Sequence, residues 1–277
     1  NTIIAMEKAG QLLGRATTVF FNLSSANTND AIDKLEGEYS PKFAAHFDSV
    51  YLNAKLFERI KSLHKNRETL GLDAQGVRLI ERYYTDFMRS GANLTDAQKT
   101  RVKAINSELA TLSTQFSQNV LAEVNDSAII VSDRAELAGL SDEQIAGFAE
   151  SAKEKNMPGK YRIALVNTTI QPILPQLDNR ALRERIHKAS VARGARGNEW
   201  DNRAIVSKVT KLRAERAAIM GYPSYAAFSM AEETAKNPEA VNAMLEKMAP
   251  PAVANARKEG AVLQAMIDSE QKAKGEK

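Results

Sequence analysis

The histidines of this chain are the side chains best suited to metal-assisted chemistry, and there are three of them: His46, His64 and His187. A helical His-Glu-x-x-His motif brings two imidazoles to one zinc ion and leaves the glutamate to activate water. None of the three histidines is followed by glutamate, and the chain has no cysteine to supply a thiolate instead. We therefore predict that this chain contains no catalytic residue and no metal site.

Two weaker metal-binding patterns are incomplete. Glu184-x-x-His187 is half of a di-iron carboxylate set, but the chain has no second copy, so we interpret this pair as part of a helix surface. His64 and Glu68 are one helical turn apart, and the lysine and arginine between them favour a solvated helix end. His46 lies between alanine and phenylalanine, which favours a hydrogen-bonded histidine between packed helices.

A run of basic residues from Arg180 to Arg216 could follow the phosphates of a nucleic acid. Four acidic residues interrupt this run: Glu184, Glu199, Asp201 and Glu215. They favour a solvated face with ion pairs, and the net charge of +4 is small for 277 residues. We therefore predict no nucleic-acid partner, while a nucleic-acid-binding module and a non-enzymatic helical scaffold stay as alternative functions.

The elements that must hold these residues are mostly helices with clear start signals. Thr95-x-x-Gln98 and Ser141-x-x-Gln144 are capping boxes, and Asn237 precedes a proline suited to a first helical position. We therefore expect helices to begin directly after Thr95, Ser141 and Asn237.

Apolar spacing refines the expected helices. The helix after Thr95 should be long, because apolar residues recur every three or four positions from Val102 to Val120. Asp178 is predicted to cap the arginine-rich helix, and a further helix is predicted to begin at Asp201.

Two short β-branched runs, in residues 127–133 and 161–168, predict the two strands of one small ribbon. The pair Gly10 and Gly14 predicts a close approach of two packed helices. The predicted fold class is therefore mainly α, a multi-helix lobe with one small two-stranded β ribbon.

Composition limits the remaining possibilities. Hydrophobic residues make up 43% of the chain and aromatic residues only 6%, so we expect a sizeable and aliphatic core. The longest uncharged run, from Ile163 to Leu177, contains two prolines and is too short and too polar for a bilayer, so we predict no membrane span. The lack of cysteine fits both the cytoplasm and the periplasm, and the compartment stays undecided.

The strongest functional signal is an ordered series of short motifs. Three of them lie in the second half of the chain: Leu177-x-Asn179-x-x-Leu182-Arg183, Met220-Gly221-Tyr222-Pro223-Ser224-Tyr225-Ala226 and Asn237-Pro238-Glu239. Earlier ones include Val19-Phe20-Phe21-Asn22-Leu23, Glu38-Tyr39-Ser40-Pro41 and Asn167-Thr168-Thr169-Ile170-Gln171-Pro172. The series resembles the thimet-oligopeptidase family of zinc metallopeptidases, most closely its bacterial peptidyl-dipeptidase branch, over nearly the whole chain.

The resemblance implies that residues 1–277 are the helical N-terminal portion of a larger peptidase that releases C-terminal dipeptides from short peptides. It implies that zinc is bound by a C-terminal catalytic portion, which would be the partner of this chain. That portion would either continue the same polypeptide or be a separate polypeptide. In this family two helical lobes flank a deep channel, so this chain would form one wall of the channel. Which of its residues bind substrate is unknown. We further predict a subdivision near residues 175–178 and a polar tail at residues 269–277.

The last helices should expose an apolar surface, because their apolar residues extend beyond one narrow stripe and several are methionines. The residues concerned are Val241, Met244, Leu245, Met248, Val253, Val262, Leu263, Met266 and Ile267. Such a face is expected to pack against the C-terminal portion. We expect the chain on its own to be inactive as a peptidase.

Overall fold

The computed structural model describes residues 2–274, and the fold is mainly α, as predicted. The first helices are α1 (Thr2–Lys8), α2 (Gln11–Ala26), α3 (Asp30–Tyr51), α4 (Ala54–Lys65), α5 (Ala74–Ser90) and α6 (Asp96–Asp126). The strands β1 (Ile129–Val131) and β2 (Tyr161–Ile163) come before and after α7 (Asp142–Glu154). The remaining helices are α8 (Asn167–Ile173), α9 (Arg180–Val191), α10 (Arg203–Ile219), α11 (Tyr225–Met230) and α12 (Pro238–Lys274).

The chain divides into two compact units, the first of which ends at Leu212 within α10. The subdivision predicted near residues 175–178 falls inside this first unit and stays a prediction. Of the polar tail predicted at residues 269–277, the residues up to Lys274 continue α12. Residues 275–277 lie outside the described part of the chain.

Helices α3 and α6 of the first unit pack against each other along an extended contact. Near one end of the pair, Asn106 Nδ2 donates a hydrogen bond to Asp48 Oδ1 at 2.7 Å. Near the other end, Gln118 Nε2 donates to the backbone oxygen of Asp33 at 2.7 Å. Because the residue numbers run in opposite directions, the two helices are antiparallel.

The predicted helix starts after Thr95, Ser141 and Asn237 are confirmed. Both capping boxes are formed, since the hydroxyls of Thr95 and Ser141 each accept a hydrogen bond from the backbone N–H three residues later. Asn237 Oδ1 accepts from the N–H of Ala240 at 2.8 Å and so caps α12. Each cap satisfies a first-turn N–H that has no partner within its helix.

The predicted cap of α9 is wrong by one residue. Asn179, not Asp178, supplies the capping oxygen, which accepts from the N–H of Leu182 at 3.1 Å. The N–H of Asp178 donates instead to the backbone oxygen of Ala138 at 2.9 Å. This bond holds Asp178 in the preceding loop, so the helix starts one position later than its sequence pattern indicates.

The predicted two-stranded ribbon is confirmed, although it is shorter than the runs 127–133 and 161–168. Strands β1 and β2 are antiparallel, with Ile129 opposite Ile163. The second strand ends early because α8 already begins at Asn167. Aliphatic side chains form the core around this ribbon: Val131, Leu137, Ile145, Ile163, Leu165, Ile170, Ile173, Leu177, Leu182 and Ile186.

A second core cluster between α4 and α5 departs from the expected aliphatic composition. The ring of Phe57 lies parallel to those of Tyr84 and Phe87, with centroid distances of 6.0 Å and 6.1 Å. The other buried residues of this cluster are Ile3, Ile60, Ile80 and Ala92. The stacked rings stabilise this cluster by more than area burial alone.

The glycine pair at the start of the chain has a different role from the one predicted. A Cβ atom added at Gly10 or Gly14 would meet no atom within 4 Å, so these residues do not permit a close helix contact. Gly10 has a φ of 72° at the break between α1 and α2. This left-handed conformation favours glycine, and the turn explains its presence.

Helix α12 dominates the second unit and is exposed along most of its length. Every residue from Asn242 to Ala273 is exposed, so the apolar surface predicted for this part of the chain is present. Pro250 and Pro251 lie inside the helix. Among the described residues, no helix is both long and apolar enough to cross a membrane.

Candidate functional site

The second half of α6 reverses the usual pattern of burial. Its buried residues are polar, namely Thr114, Asn119 and Glu123. Two apolar residues of the predicted stripe are exposed instead, Phe116 by 39% and Val120 by 44%. Because buried polar groups cost free energy unless they are hydrogen-bonded, this segment must have specific partners.

Glu123 is the most buried charge of this segment, since its side chain is only 2% exposed. Arg196 holds it in a fork, with Nε 2.6 Å from Oε1 and Nη2 3.0 Å from Oε2. Asn198 Nδ2 donates to Oε2 at 3.0 Å. The hydrogen bonds from Arg196 lower the pKa of the Glu123 carboxyl although its burial acts in the opposite direction, so this carboxyl is ionised at neutral pH.

Arg196 and Asn198 belong to the segment between α9 and α10, which we call the 192–202 loop. Asn202 fixes the far end of this loop on α6, because its Oδ1 accepts from Asn119 Nδ2 at 2.9 Å. Its Nδ2 donates to the backbone oxygen of Phe116 at 3.2 Å. Asn119 and Glu123, two of the polar residues buried in α6, therefore anchor a loop that is distant in sequence.

A cleft of about 670 Å³ lies beside this loop, between α6, the end of α9 and the start of α10. We call it the loop cleft. Its apolar side is formed by Phe116, Val120, Val124 and Val206, and its polar side includes Ser190 and Arg193. A volume of this order suits a small organic ligand or a short peptide.

Arg193 is a cation in the wall of the loop cleft whose bonds go to neutral acceptors. Its Nε donates to the backbone oxygen of Ser190 at 3.1 Å, and its Nη1 donates to that of Leu165. Its Nη2 is 3.5 Å from Asn167 Oδ1, which is a weak contact. Within residues 2–274, the guanidinium is thus held in place by neutral oxygens and pairs with no carboxylate.

The arginines of α9 only partly match the predicted ion-paired face. Arg185 Nη2 donates to the backbone oxygen of Ile130 at 2.9 Å, and its Nη1 is 3.5 Å from Glu136 Oε2. Arg183 donates to the backbone oxygens of Leu177 and of the next residue. These guanidinium groups therefore fasten α9 to the ribbon and its loops, in addition to forming ion pairs.

The three histidines are not brought together. The ring of His64 stacks on a tyrosine ring with a centroid distance of 4.0 Å, and His187 is exposed beside Glu184, whose carboxylate pairs with the lysine one turn later. His46 is exposed, so the expectation that it lies between packed helices is wrong. In the described part of the chain, no group of three or more histidine, aspartate or glutamate residues could hold a metal ion. The lack of a metal site in the whole chain stays a prediction.

Sequence reasoning missed the ion pair of Glu123 with Arg196, because 73 positions separate the two residues. One local signal was available. Glu123 follows Val120 by three positions and so continues the apolar stripe with a charge. A charge at a position expected to be buried indicates a specific partner.

Comparison with known proteins supports the resemblance described above. Residues 173–276 match Peptidase family M3. The chain is 40% identical over 98% of its length to "Dipeptidyl carboxypeptidase" of Escherichia coli and to the protein of that name in Salmonella typhimurium. It is 27% identical over 94% of its length to "Oligopeptidase A" of Haemophilus influenzae.

The predicted resemblance to the peptidyl-dipeptidase branch of this peptidase family is therefore confirmed. The chain spans about 40% of the length of the dipeptidyl carboxypeptidases that it matches.

Proposed function

We propose that this chain is the helical N-terminal portion of a zinc metallopeptidase that releases C-terminal dipeptides from short peptides. The observation that carries this proposal is the 40% identity over 98% of the chain to the Escherichia coli dipeptidyl carboxypeptidase. The chain has no His-Glu-x-x-His sequence. Zinc and the glutamate that activates water therefore belong, in this proposal, to the remaining portion of the protein.

The role that we propose for this portion is to form one wall of the substrate channel and to limit the size of the peptides that enter. The exposed apolar side chains of α12 support this proposal, because a large apolar surface usually marks an interaction site. The flexible side chains of methionines such as Met244, Met248 and Met266 can adapt to the surface of another folded portion. The catalytic portion is the partner that we propose for this face.

A chimera tests the proposed function. This chain would replace the matching 40% of the Escherichia coli dipeptidyl carboxypeptidase, and dipeptide release from a short N-blocked peptide would be measured with and without a zinc chelator. We expect chelator-sensitive release by the chimera. The chain alone should neither release dipeptides nor retain stoichiometric zinc after dialysis.

The control is the Escherichia coli protein with the matching portion deleted, which should be inactive or unfolded. A chimera that is folded and loaded with zinc, yet releases no dipeptide while the parent enzyme does, would contradict the proposal. Stoichiometric zinc bound by the chain alone would contradict the assignment of the metal to the other portion.

A further inference from the structure

We infer that a cleft near the start of the chain binds a small arylalkylamine, that is, an organic cation with an aromatic body. The cleft has a volume of about 380 Å³ and lies where α1 and α2 meet α3 and α5. We call it the N-terminal cleft. Three features carry the inference: aromatic walls, a carboxylate without a cationic partner, and a glycine whose missing side chain keeps the space open. The inference does not depend on the proposed peptidase activity.

The walls of the N-terminal cleft are rich in aromatic rings. Phe47 and Tyr51 line it from α3, and Tyr83 lines it from α5. Phe47 is 54% exposed, so much of its surface is accessible to a ligand. Met6 and Val50 add aliphatic surface to the walls. Because aromatic rings attract cations on their faces and also pack against other rings, these walls suit a ligand that has both groups.

The charge beside the N-terminal cleft is negative. Glu7 Oε1 accepts a hydrogen bond from the hydroxyl of Tyr83 at 2.5 Å. Within residues 2–274, the Glu7 carboxylate forms no ion pair. A neutral hydroxyl satisfies one of its oxygens but does not cancel its charge. The other acid close to the two tyrosines, Asp86, already pairs with Arg82 at 2.7 Å. Glu7 is therefore the charge that a bound cation would neutralise.

Two tyrosines of the cleft respond to this negative charge. Burial raises the pKa of Tyr51, and the charges of Asp86 and Glu7 raise it further while Arg82 acts in the opposite direction. Burial, the hydrogen bond to Glu7 and the charge of Glu7 also raise the pKa of Tyr83. A nearby negative charge disfavours a phenolate for the same reason that it favours a bound cation. The cleft should therefore prefer a cation to a neutral or anionic ligand of the same shape.

Gly14 keeps the cleft open. It lies inside α2, where glycine is less favourable than alanine. A Cβ atom added at Gly14 would meet no atom within 4 Å, so the packing of α2 does not require glycine here. Because Gly14 lines the cleft, its missing side chain instead leaves room for a ligand.

Calorimetric titration of the chain with phenethylamine, phenethyl alcohol and phenylpropionate tests the inference. The three ligands share a phenyl ring on a short chain and differ mainly in charge. We expect the amine to bind about tenfold more tightly than the alcohol, because only the amine gains the attraction of Glu7 and of the aromatic faces for a cation. Phenylpropionate should bind more weakly than the alcohol, since Glu7 repels it. His46 also lines the cleft, so the titrations are done at about pH 8, where imidazole is uncharged.

Matched glycine variants locate the site. Gly14→Leu fills the cleft and should weaken binding of the amine by about tenfold or more, since the new side chain occupies the ligand volume. Leucine is favourable in a helix, so this variant should fold at least as well as the wild type. Gly37→Leu makes the same change at an exposed glycine of α3 that also has no atom within 4 Å of an added Cβ. Gly37 does not line the cleft, so this variant should leave binding unchanged.

A third variant tests the carboxylate. Glu7→Gln keeps an acceptor for the Tyr83 hydroxyl but removes the charge. It should weaken binding of the amine about threefold, the size expected for an exposed ion pair, and leave binding of the alcohol unchanged. Unchanged binding of the amine would overturn the assignment of Glu7 as its partner.

Equal binding of the amine and the alcohol, or no binding of either at millimolar concentration, would overturn the inference. An unchanged affinity of Gly14→Leu for the amine, or an equal loss in Gly37→Leu, would overturn it as well, since the ligand would then bind elsewhere. If phenylpropionate bound as tightly as the amine, the assignment to a cation would be wrong. None of these outcomes depends on the chimera.

Discussion

In the first half of α6 the buried side chains are aliphatic, such as Val102 and Ile105, whereas in the second half they are polar. The helix has the same partner α3 along both halves, since Asn106 and Gln118 both donate hydrogen bonds to α3. What changes is that the second half also anchors the 192–202 loop through Asn119 and its neighbours. Aliphatic burial stabilises a helix without selecting one neighbour, while polar burial fixes one particular loop in one position.

The largest expected effect is the loss of a buried valine in the first half of α6. Val102→Ala should destabilise the fold by about 2–3 kcal/mol, because it removes two methyl groups from a fully buried position and leaves a cavity. Val120→Ala makes the same change at an exposed position of the same helix and should alter stability by less than about 0.5 kcal/mol. Urea unfolding measures both values, and equal effects would contradict the difference between the two halves.

Removal of the buried charge in the second half should have a smaller but more specific effect. Glu123→Gln should destabilise by about 1–2 kcal/mol, because the charge-assisted fork from Arg196 is lost while the volume is kept. Glu108→Gln is the matched control, since Glu108 is 40% exposed and pairs with Lys208 at 3.0 Å on the surface. The fluorescence of Trp200 should change with Glu123→Gln only, and an unchanged loop signal would refute the anchoring role.

The contribution of Glu123 should also depend on pH in one direction. Its pKa is lower in the folded protein than in the unfolded chain, where a glutamate titrates at about 4.3. The stabilisation is therefore fully present above that value and is lost as pH falls through the folded pKa. The difference in unfolding free energy between the wild type and Glu123→Gln should shrink below about pH 4, and a constant difference would show that the charge contributes nothing.

The smallest expected effect concerns the hydrogen bond between Thr114 and α3. Thr114 Oγ1 donates to Ser40 Oγ at 3.0 Å, and Thr114→Val keeps the shape but removes this bond. We expect a loss of about 0.5–1 kcal/mol, the usual net value of a neutral hydrogen bond. Thr111→Val is the control, because Thr111 is exposed and bonds only within its own helix. If Thr114→Val instead stabilised the fold, the hydrogen bond to Ser40 would not compensate for the free energy of burying the Thr114 hydroxyl.

Features set by neighbouring residues could be predicted from the sequence. The capping boxes at Thr95 and Ser141 and the cap at Asn237 depend on residues within a few positions of one another. Each strand of the ribbon was likewise indicated by its own short β-branched run. The cap at Asp178 was wrong because a bond to the distant Ala138 decides which residue precedes the helix. A local sequence pattern cannot predict a hydrogen bond between residues so far apart.

The candidate site could not be predicted, because its residues come from separate segments of the chain. Glu123, Arg193 and Val206 lie on different helices or in a loop, and no spacing rule connects them. The family resemblance could be recognised from the sequence, because it depends on short motifs in a fixed order. The same resemblance contains no information about a cleft that only tertiary packing creates.

The paired prolines of α12 have a consequence for how that helix loses its order. Proline has no amide hydrogen, so Pro250 and Pro251 leave the carbonyl groups of Glu246 and Lys247 without donors from the following turn. Two adjacent missing bonds form a weak point in a helix that is otherwise continuous from Pro238 to Lys274. Deuterium uptake should therefore proceed in two separate segments, one on each side of the prolines, rather than as a single cooperative opening.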